Sequence, residues 1–323
     1  MGIRVLGTGG YIPPRILDNE FFTTIVDTSC EWIEKRTGIL KRHVMPDDMN
    51  SLDMAKQAAL RALEKSGVGA RELKAVICAT LTQDELTPSL SCSLLTEIGA
   101  QCMAFDVNAA CSGFLYLLKI ADALSEKEEG PMLLLGVEAL SKIVNYEDRS
   151  TCVLFGDAAG GMVVKRGDEL RHIEVHAYGD PERVLHVGGI NQGKRITGTA
   201  QPSLTTMKGQ EVFKFATREM EKVMTSALRS TGLSAGDISL VIPHQANLRI
   251  IKYAAQRMKI PYEKFYVNIE HTGNTSAASI PYALYEADQK GLVHPGDYVM
   301  LVGFGGGLTS GCAVIRWQQD QLG

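Results

Sequence analysis

Ala62-Leu63-Glu64-Lys65-Ser66-Gly67-Val68-Gly69-Ala70-Arg71-Glu72-Leu73-Lys74-Ala75-Val76-Ile77 has a counterpart further along the same chain. It is Ala227-Leu228-Arg229-Ser230-Thr231-Gly232-Leu233-Ser234-Ala235-Gly236-Asp237-Ile238-Ser239-Leu240-Val241-Ile242. The two align without a gap at an offset of 165, since 227 minus 62 is 165. Each reads as a helix end, a glycine stop, a short loop and a buried strand. Two more matches follow in the same order. Phe105-Asp106-Val107-Asn108 pairs with Phe265-Tyr266-Val267-Asn268, and Leu133-Leu134-Leu135-Gly136 pairs with Met300-Leu301-Val302-Gly303. The first pair leads through small-residue turns into helices, Cys111-Ser112-Gly113-Phe114 in one half and Thr275-Ser276-Ala277-Ala278 in the other. Each half then closes on a glycine-rich hairpin ending in Met162-Val163-Val164 or Ala313-Val314-Ile315. Every α/β protein repeats strand, turn and helix, but three ordered matches point to an internal duplication.

The duplication divides the chain into an N-terminal half, 1–170, and a C-terminal half, 171–323. Val212, Ala216, Met220, Val223 and Ala227 recur at helical spacing, as do Ala55, Ala58, Ala59 and Ala62. The strands are short and apolar on both faces, which predicts a mostly parallel sheet covered by helices on both sides. The stretch 188–209 carries no periodic pattern and reads as a surface loop near a site.

Composition narrows the function classes. The 323 residues are 45% hydrophobic and 22% charged, as in an ordinary globular enzyme. A net charge of -4 gives no footprint for nucleic acid. No apolar run approaches the ~20 residues of a membrane span. Met1-Gly2-Ile3-Arg4 reads straight into a strand-like segment, without a secretory pattern. The seven cysteines (30, 78, 92, 102, 111, 152, 312) form no Cys-x-x-Cys unit, which predicts free thiols and a cytoplasmic location.

Three polar residues stand at expected strand ends. Cys111 lies where a strand turns into a helix with Phe114, Leu117, Leu118, Ala121 and Leu124 on one face. A thiol there meets the unpaired N–H groups of the first helical turn, which predicts a lowered pKa and a nucleophile. His244 follows the strand at 238–242, and Asn274 lies in the turn that corresponds to that of Cys111. Singly, such residues are caps or core fillers more often than catalysts. Their convergence across the duplication is what predicts a site. Gly303-Phe304-Gly305-Gly306-Gly307-Leu308 adds backbone N–H groups able to hold an oxyanion. It lacks the Lys-Ser/Thr of a phosphate loop, and Gly7-Thr8-Gly9-Gly10 fails the dinucleotide spacing.

With these residues in place the chain resembles the β-ketoacyl-acyl carrier protein synthase III family, in the thiolase-like superfamily. The resemblance spans essentially the whole length. It rests on Asp27-Thr28-Ser29-Cys30-Glu31-Trp32-Ile33 with Arg36-Thr37-Gly38-Ile39, on Ala109-Ala110-Cys111-Ser112-Gly113-Phe114, and on Phe155-Gly156-Asp157-Ala158-Ala159-Gly160. Pro243-His244-Gln245-Ala246-Asn247-Leu248-Arg249-Ile250-Ile251 and Gly273-Asn274-Thr275-Ser276-Ala277-Ala278-Ser279-Ile280-Pro281 complete it. It implies a thiolase-like α/β fold, two pseudo-twofold-related halves in a layered α-β-α-β-α body. The implied chemistry is a decarboxylative Claisen condensation through a Cys111-His244-Asn274 triad, with an acyl-Cys111 intermediate. Cys111 and Gly306 would supply the oxyanion hole. Thr28, Trp32, Arg36, Arg149 and Asn247 would bind CoA, and Thr87 and Phe304 would line the acyl pocket. Lys214, Arg249 and Arg257 would receive an acyl carrier protein. The resemblance implies no cofactor, since acyl-CoA and malonyl-acyl carrier protein are substrates, and it implies a homodimer in which the Thr87 segment reaches the partner's pocket. Where acetyl-preferring members resemble one another in a Phe, this chain has Thr87, which predicts a longer or branched primer.

Two competing readings remain. A same-fold acyltransferase would pass the acyl group to an alcohol or amine. A cysteine hydrolase has the right residue order, with His244 following Cys111 by 133 residues (244 minus 111), but it lacks the local motif and leaves the duplication unexplained.

Overall fold

The structure is a computed structural model that describes residues 2–189 and 204–318. In chain order its strands are β1 (Gly2–Tyr11), β2 (Arg15–Asp18), β3 (Lys41–Val44), β4 (Ala75–Ala79), β5 (Met103–Val107), β6 (Met132–Ala139) and β7 (Asp157–Gly167). They continue with β8 (Leu170–Ala177), β9 (Leu185–Val187), β10 (Thr205–Met207), β11 (Ile238–Pro243), β12 (Tyr298–Gly305) and β13 (Thr309–Arg316). One large sheet has the order β1-β7-β6-β4-β5 and the other, read from its far edge, β8-β13-β12-β11. The two orders correspond position by position. The counterpart of β5 shrinks to one bridge between Val241 and Phe265, beside which the Tyr266 N–H donates to the Val241 carbonyl at 2.9 Å.

The helix-stop reading holds in detail. The helices Ser51–Ser66 and Gly209–Thr231 end on Gly67 and Gly232, left-handed at φ 65° and 71°. The expectation of mostly parallel sheets holds in strand direction, with one exception in each: β7 and β13 run against the other strands of their sheets. Parallel pairing joins β6 to β4, β4 to β5, and β11 to β12, while β1–β7, β6–β7, β12–β13 and β13–β8 are antiparallel. Strands buried on both faces look alike in composition whichever way the neighbour runs. Direction is set by how the chain returns, and in each half it returns once without a helical crossover.

Side-chain alternation along the strands builds the layers. Ala75, Ile77 and Ala79 of β4 and Met132 and Leu134 of β6 face inward with Val299 and Leu301 of β12. Between the sheets they meet Phe114, Leu115 and Leu118 from the helix Gly113–Leu124, and Ile280, Ala283 and Leu284 from the helix Ser279–Gln289. Val76, Cys78, Leu133 and Leu135 face the other way, onto the helices Ser51–Ser66 and Leu90–Ile98. Met300, Val302 and Phe304 face the helices Gly209–Thr231 and Leu248–Met258. The result is five layers, helix-sheet-helix-sheet-helix. Close strand–helix approach needs small residues at the contact. A Cβ on Gly9 would run into the Ala58 carbonyl, which is the role of the Gly7–Gly10 segment.

The register of the duplication at the turns is corrected by the backbone. Ala110 and Ser276 are both left-handed, at φ 46° and 47°, and each opens a short 3-10 turn, Ala110–Ser112 or Ser276–Ala278. The offset is therefore 276 minus 110, or 166, and not the 164 implied by matching Cys111 with Thr275. Cys111 corresponds to Ala277, and Asn108 to Asn274. Runs of Ala and Ser align equally well in several registers, so composition could not fix it.

Candidate active site

The turn Ala110–Ser112 at the end of β5 presents Cys111 just before the helix Gly113–Leu124. Cys111 is 7% exposed. Burial pushes its thiol from 9.0 up to about 12, Ser276 hydrogen bonding works against this, and the charge of Glu138 reinforces it. The expected lowering by the helix terminus is thus overridden. Three pH units correspond to on the order of 4 kcal/mol, more than the up to ~2 kcal/mol a helix end supplies.

His244 follows β11 and is buried, and its N–H donates to the Val302 carbonyl at 2.8 Å. Burial lowers its imidazole to about 3, so the ring is neutral. Both ring nitrogens lack a hydrogen-bond partner, and the Phe304 ring packs edge-on at 5.3 Å between centroids. The next residue anchors this loop. Gln245 donates from Nε2 to the Pro243 and Tyr266 carbonyls (2.9 and 3.0 Å), and its Oε1 accepts from the Asn268 and Ile269 N–H groups (3.1 and 3.2 Å).

Asn274 is held by backbone bonds on both sides. Its N–H donates to the Leu154 carbonyl at 2.9 Å and its carbonyl accepts from the Gly156 N–H at 3.0 Å. Its Oδ1 accepts the Ser276 N–H at 2.9 Å, which leaves Nδ2 as the side chain's donor. Asn108 forms the corresponding bond to the Ala110 N–H at 3.3 Å. The glycine run closes the site from the other half. A Cβ on Gly305 would stand 2.8 Å from the Cys111 nitrogen. The Thr309 hydroxyl lies 3.1 Å from both the Ser112 hydroxyl and the Gly306 carbonyl.

A cavity of about 760 Å³ is lined by Cys111, Ser276, Gly306, Tyr116, Leu81 and Leu185, among others. A groove of about 610 Å³ contains Trp32, Arg36, Arg149, Lys214, Asn247 and Arg249. Two segments touch both: Phe155 and Thr205 line the cavity, Leu154 and Met207 the groove. The groove lining holds four cations and no acid, and one of the four, Lys214, is paired with Glu211 beside it at 2.9 Å. Gly188 and Gly189 also line the cavity, while 190–203, the centre of the expected loop, lies outside the described residues.

Several predicted residues stand elsewhere or are otherwise engaged. Phe304 is not on the cavity wall, because alternation along β12 turns it toward the outer helices and against His244. Thr87 is exposed and absent from its own chain's cavity, whereas its neighbour Leu86 lines the rim. Thr28 lies outside the groove with its hydroxyl buried and unpartnered. Asn247 lines the groove, but its amide is occupied, capping the helix Leu248–Met258 at the Arg249 N–H (2.9 Å) and donating to the Arg36 carbonyl (3.1 Å). Arg257 is outside the groove, paired with Glu221 at 2.6 and 2.9 Å. The Arg149 guanidinium sits 5.0 Å over the Trp32 ring, too close to admit a base between them at ~3.5 Å per face.

Sequence reasoning missed Glu138 and Ser276. Glu138 is fully buried, accepting from the Thr82 hydroxyl (2.7 Å), the Leu81 N–H (3.3 Å) and the Ser276 hydroxyl (3.0 Å). A lone acid in the otherwise apolar stretch from Met132 to Ala139 was the available signal. Among the described residues no cluster of His, Cys, Asp and Glu is placed to hold a metal, and no helix is long and apolar enough to cross a membrane. All seven cysteines are free thiols.

Comparison with known proteins gives the family and the fold. The family model 3-Oxoacyl-[acyl-carrier-protein (ACP)] synthase III matches residues 105–181, and the model of its C-terminal part matches 228–317. A β-ketoacyl-[acyl-carrier-protein] synthase III of Xanthomonas campestris pv. campestris is 42% identical, over 97% of this chain and 98% of its own. Its namesake from Clostridium acetobutylicum is 41% identical over 98% of both chains. The crystal structure of 3-oxoacyl-[acyl-carrier-protein] synthase III from Aquifex aeolicus superposes with a TM-score of 0.91 at 43% identity, covering 98% of this chain and 100% of that one.

Proposed function

This chain belongs to the 3-oxoacyl-[acyl-carrier-protein] synthase III family, and from that premise we propose how its residues carry out the condensation. It is an acyl-transferring condensing enzyme of fatty acid synthesis with a thiolase-like fold. Cys111 attacks an acyl-CoA primer, forms an acyl thioester and releases CoA. Malonyl-acyl carrier protein then loses carbon dioxide. His244 and Asn274 donate hydrogen bonds to the enolate oxygen, and the carbanion attacks acyl-Cys111. The N–H groups of Cys111 and Gly306 hold the tetrahedral oxyanion.

The observation that carries this reading is the absence of charge on the three groups: a thiol kept neutral by burial, a neutral imidazole and an amide with a spare donor. A neutral imidazole with unpartnered nitrogens and an amide with a spare Nδ2 can stabilise an oxyanion and cannot act as strong bases. That suits enolate stabilisation better than hydrolysis, where a base must activate water.

The groove suits the CoA moiety and the approach of an acidic carrier protein. Trp32, Arg36 and Arg149 serve CoA, with Arg149 swinging off the Trp32 face, and Thr28 and Asn247 act from the edge. Lys214, Arg249 and, further out, Arg257 face the carrier protein. Thr87 acts in a second copy's acyl pocket within a cytoplasmic homodimer and favours a primer longer or bulkier than acetyl. The division of the chain at 170/171 belongs to the same proposal. No cofactor takes part.

Intact-protein mass after incubation with a panel of acyl-CoAs, then with malonyl-carrier protein, tests the scheme. An adduct on wild type, absent in Cys111→Ala and cleared with carbon dioxide release, is the expected result. An adduct that malonyl-carrier protein leaves untouched points to the acyltransferase. No adduct from any acyl-CoA overturns the CoA-primed mechanism.

A further inference from the structure

The site contains one acid that the condensation scheme leaves without a task. Glu138 is the last residue but one of β6, fully buried, and it reaches Cys111 only through Ser276. The Ser276 hydroxyl donates to Glu138 at 3.0 Å, lines the same cavity as Cys111, and works against the rise in the thiol's pKa as a hydrogen-bonding neighbour. A serine hydroxyl has one proton and two lone pairs, so the chain of bonds has two complete arrangements. With Glu138 ionised, Ser276 donates to the carboxylate and accepts from the Cys111 thiol. With Glu138 protonated, the carboxyl donates to Ser276, and the Ser276 proton turns to the sulfur as thiolate. Both arrangements satisfy every buried group, while a thiolate beside an ionised Glu138 would set two buried like charges together.

We propose that Cys111 and Glu138 share one proton through the Ser276 hydroxyl, and that the nucleophile is the Cys111 thiolate formed when Glu138 holds it. This deepens, and rests on, the reading of Cys111 as the acylated residue. In this scheme Ser276 hydrogen bonds to the reacting sulfur, whereas Glu138 acts through Ser276 and is a positioning residue. In loading, the bond from Cys111 sulfur to the acyl carbon forms and the acyl–CoA thioester bond breaks. The Cys111 proton stays on Glu138, and the departing CoA sulfur takes a proton from water. On release of the product the Cys111 sulfur recovers the proton from Glu138 through Ser276.

The surroundings leave this pair to itself. Burial holds Glu138 from 4.5 up to about 7, against its hydrogen bonds to Thr82, Leu81, Ser276 and Ala277. His244 is no rival proton holder, since burial keeps it neutral. Cys78 on β4 is kept neutral by burial, and Asp157 on β7 is taken up by the Met45 and Ser141 N–H groups and the Ser141 hydroxyl. Lys142, which follows β6, is paired with Asp84. On the helices packed against β6, the charged groups of Ser51–Ser66 and Gly113–Leu124 lie toward solvent, and Glu286 of Ser279–Gln289 is engaged by Asn268 and His271.

The test is the rate of Cys111 alkylation by iodoacetamide against pH, followed on the Cys111 peptide, with acyl-CoA loading measured beside it. For wild type the rate rises with pH up to the titration of Glu138 and then levels, because each further ionised Glu138 opposes the thiolate as much as pH favours it. Glu138→Gln keeps climbing through that point and alkylates about tenfold faster than wild type one pH unit above it. Glu138→Asp keeps the break. Ser276→Ala, which removes the donor to the thiolate, slows alkylation about tenfold or more at every pH. The proposal fails if Glu138→Gln shows the wild-type break, or if Ser276→Ala alkylates at the wild-type rate. Should Glu138→Gln not fold, Ser276→Ala decides alone. Alkylation needs no acyl-CoA, so normal alkylation profiles without acyl loading would sink the proposed function and leave the pair standing. Loading that proceeds with unbroken profiles in every variant would do the reverse.

Discussion

His244 keeps a neutral ring whose two buried nitrogens have no hydrogen-bond partner in the protein, an arrangement that costs free energy until a water or a ligand answers them. If its role is donation to the enolate, His244→Ala and Asn274→Ala separate the half-reactions. Acyl loading on Cys111 then persists within a few-fold of wild type, while carbon dioxide release from malonyl-carrier protein falls by about 10² to 10³ for each lost donor. Equal losses in both steps would place these residues elsewhere in the cycle. The same burial has a signature in stability. The unfolded chain protonates this histidine below 6.5, whereas the folded chain resists until about 3, so its contribution is whole above 6.5 and is lost as pH falls. Glu138, raised from 4.5 to about 7, acts oppositely, with stability falling as pH rises between those values. The two slopes cancel from 4.5 to 6.5, and below 4.5 His244 alone costs on the order of 1.4 kcal/mol per pH unit. Urea midpoints for wild type and His244→Gln at pH 3.5 and 4.5 should therefore differ in slope, the variant losing less.

At the scale of elements, the paired turns Ala110–Ser112 and Ser276–Ala278 do the positioning. Each starts on a left-handed residue, each is capped by an asparagine two residues earlier, and each launches a central helix. One turn carries the thiol, and the other carries the amide cap and the serine that shares the thiol's cavity. Gly305 is where β12 comes up against the first of them. Gly305→Ala pushes a methyl toward the Cys111 nitrogen, so loading should slow at least tenfold for a stability cost of about 1–3 kcal/mol. Loading rate and thermal melting read together check this, and a normal loading rate would show that the turn has room to move. The glycine stops at Gly67 and Gly232 were legible in the sequence because only a residue without Cβ takes that conformation freely. The two-residue slip at the turns and the antiparallel strands were not. Small residues carry no register, and a strand buried on both faces carries no direction.

Over the whole molecule, the cavity and the groove meet along Leu154-Phe155 and the strand Thr205–Met207, so a ligand seated in one has the other within reach. The net charge is -4, yet the groove lining contains Arg36, Arg149, Lys214 and Arg249 without an acid. Such a local patch steers an acidic partner within about a Debye length, ~8–10 Å in ordinary buffer. Arg249→Glu is expected to raise KM for malonyl-carrier protein about tenfold at low salt and to flatten its dependence on ionic strength. Steady-state kinetics across a salt series would remove Arg249 from the docking surface if neither changed.

The sequence by itself determined the duplication, the alternation of helix and strand, and the residues Cys111, His244 and Asn274 together with the glycine run. These are local matters of periodicity, stop residues and chemical type. Tertiary structure alone decided the charge states and the partners. Cys111 and His244 are both kept neutral by burial, which no neighbour in the chain reveals. It also turned Phe304 behind His244, occupied Asn247 as a helix cap, and brought Glu138 to Ser276 across 138 positions of sequence. Desolvation and long-range hydrogen bonds depend on what the fold packs around a group, and that is set only when the two halves close on each other.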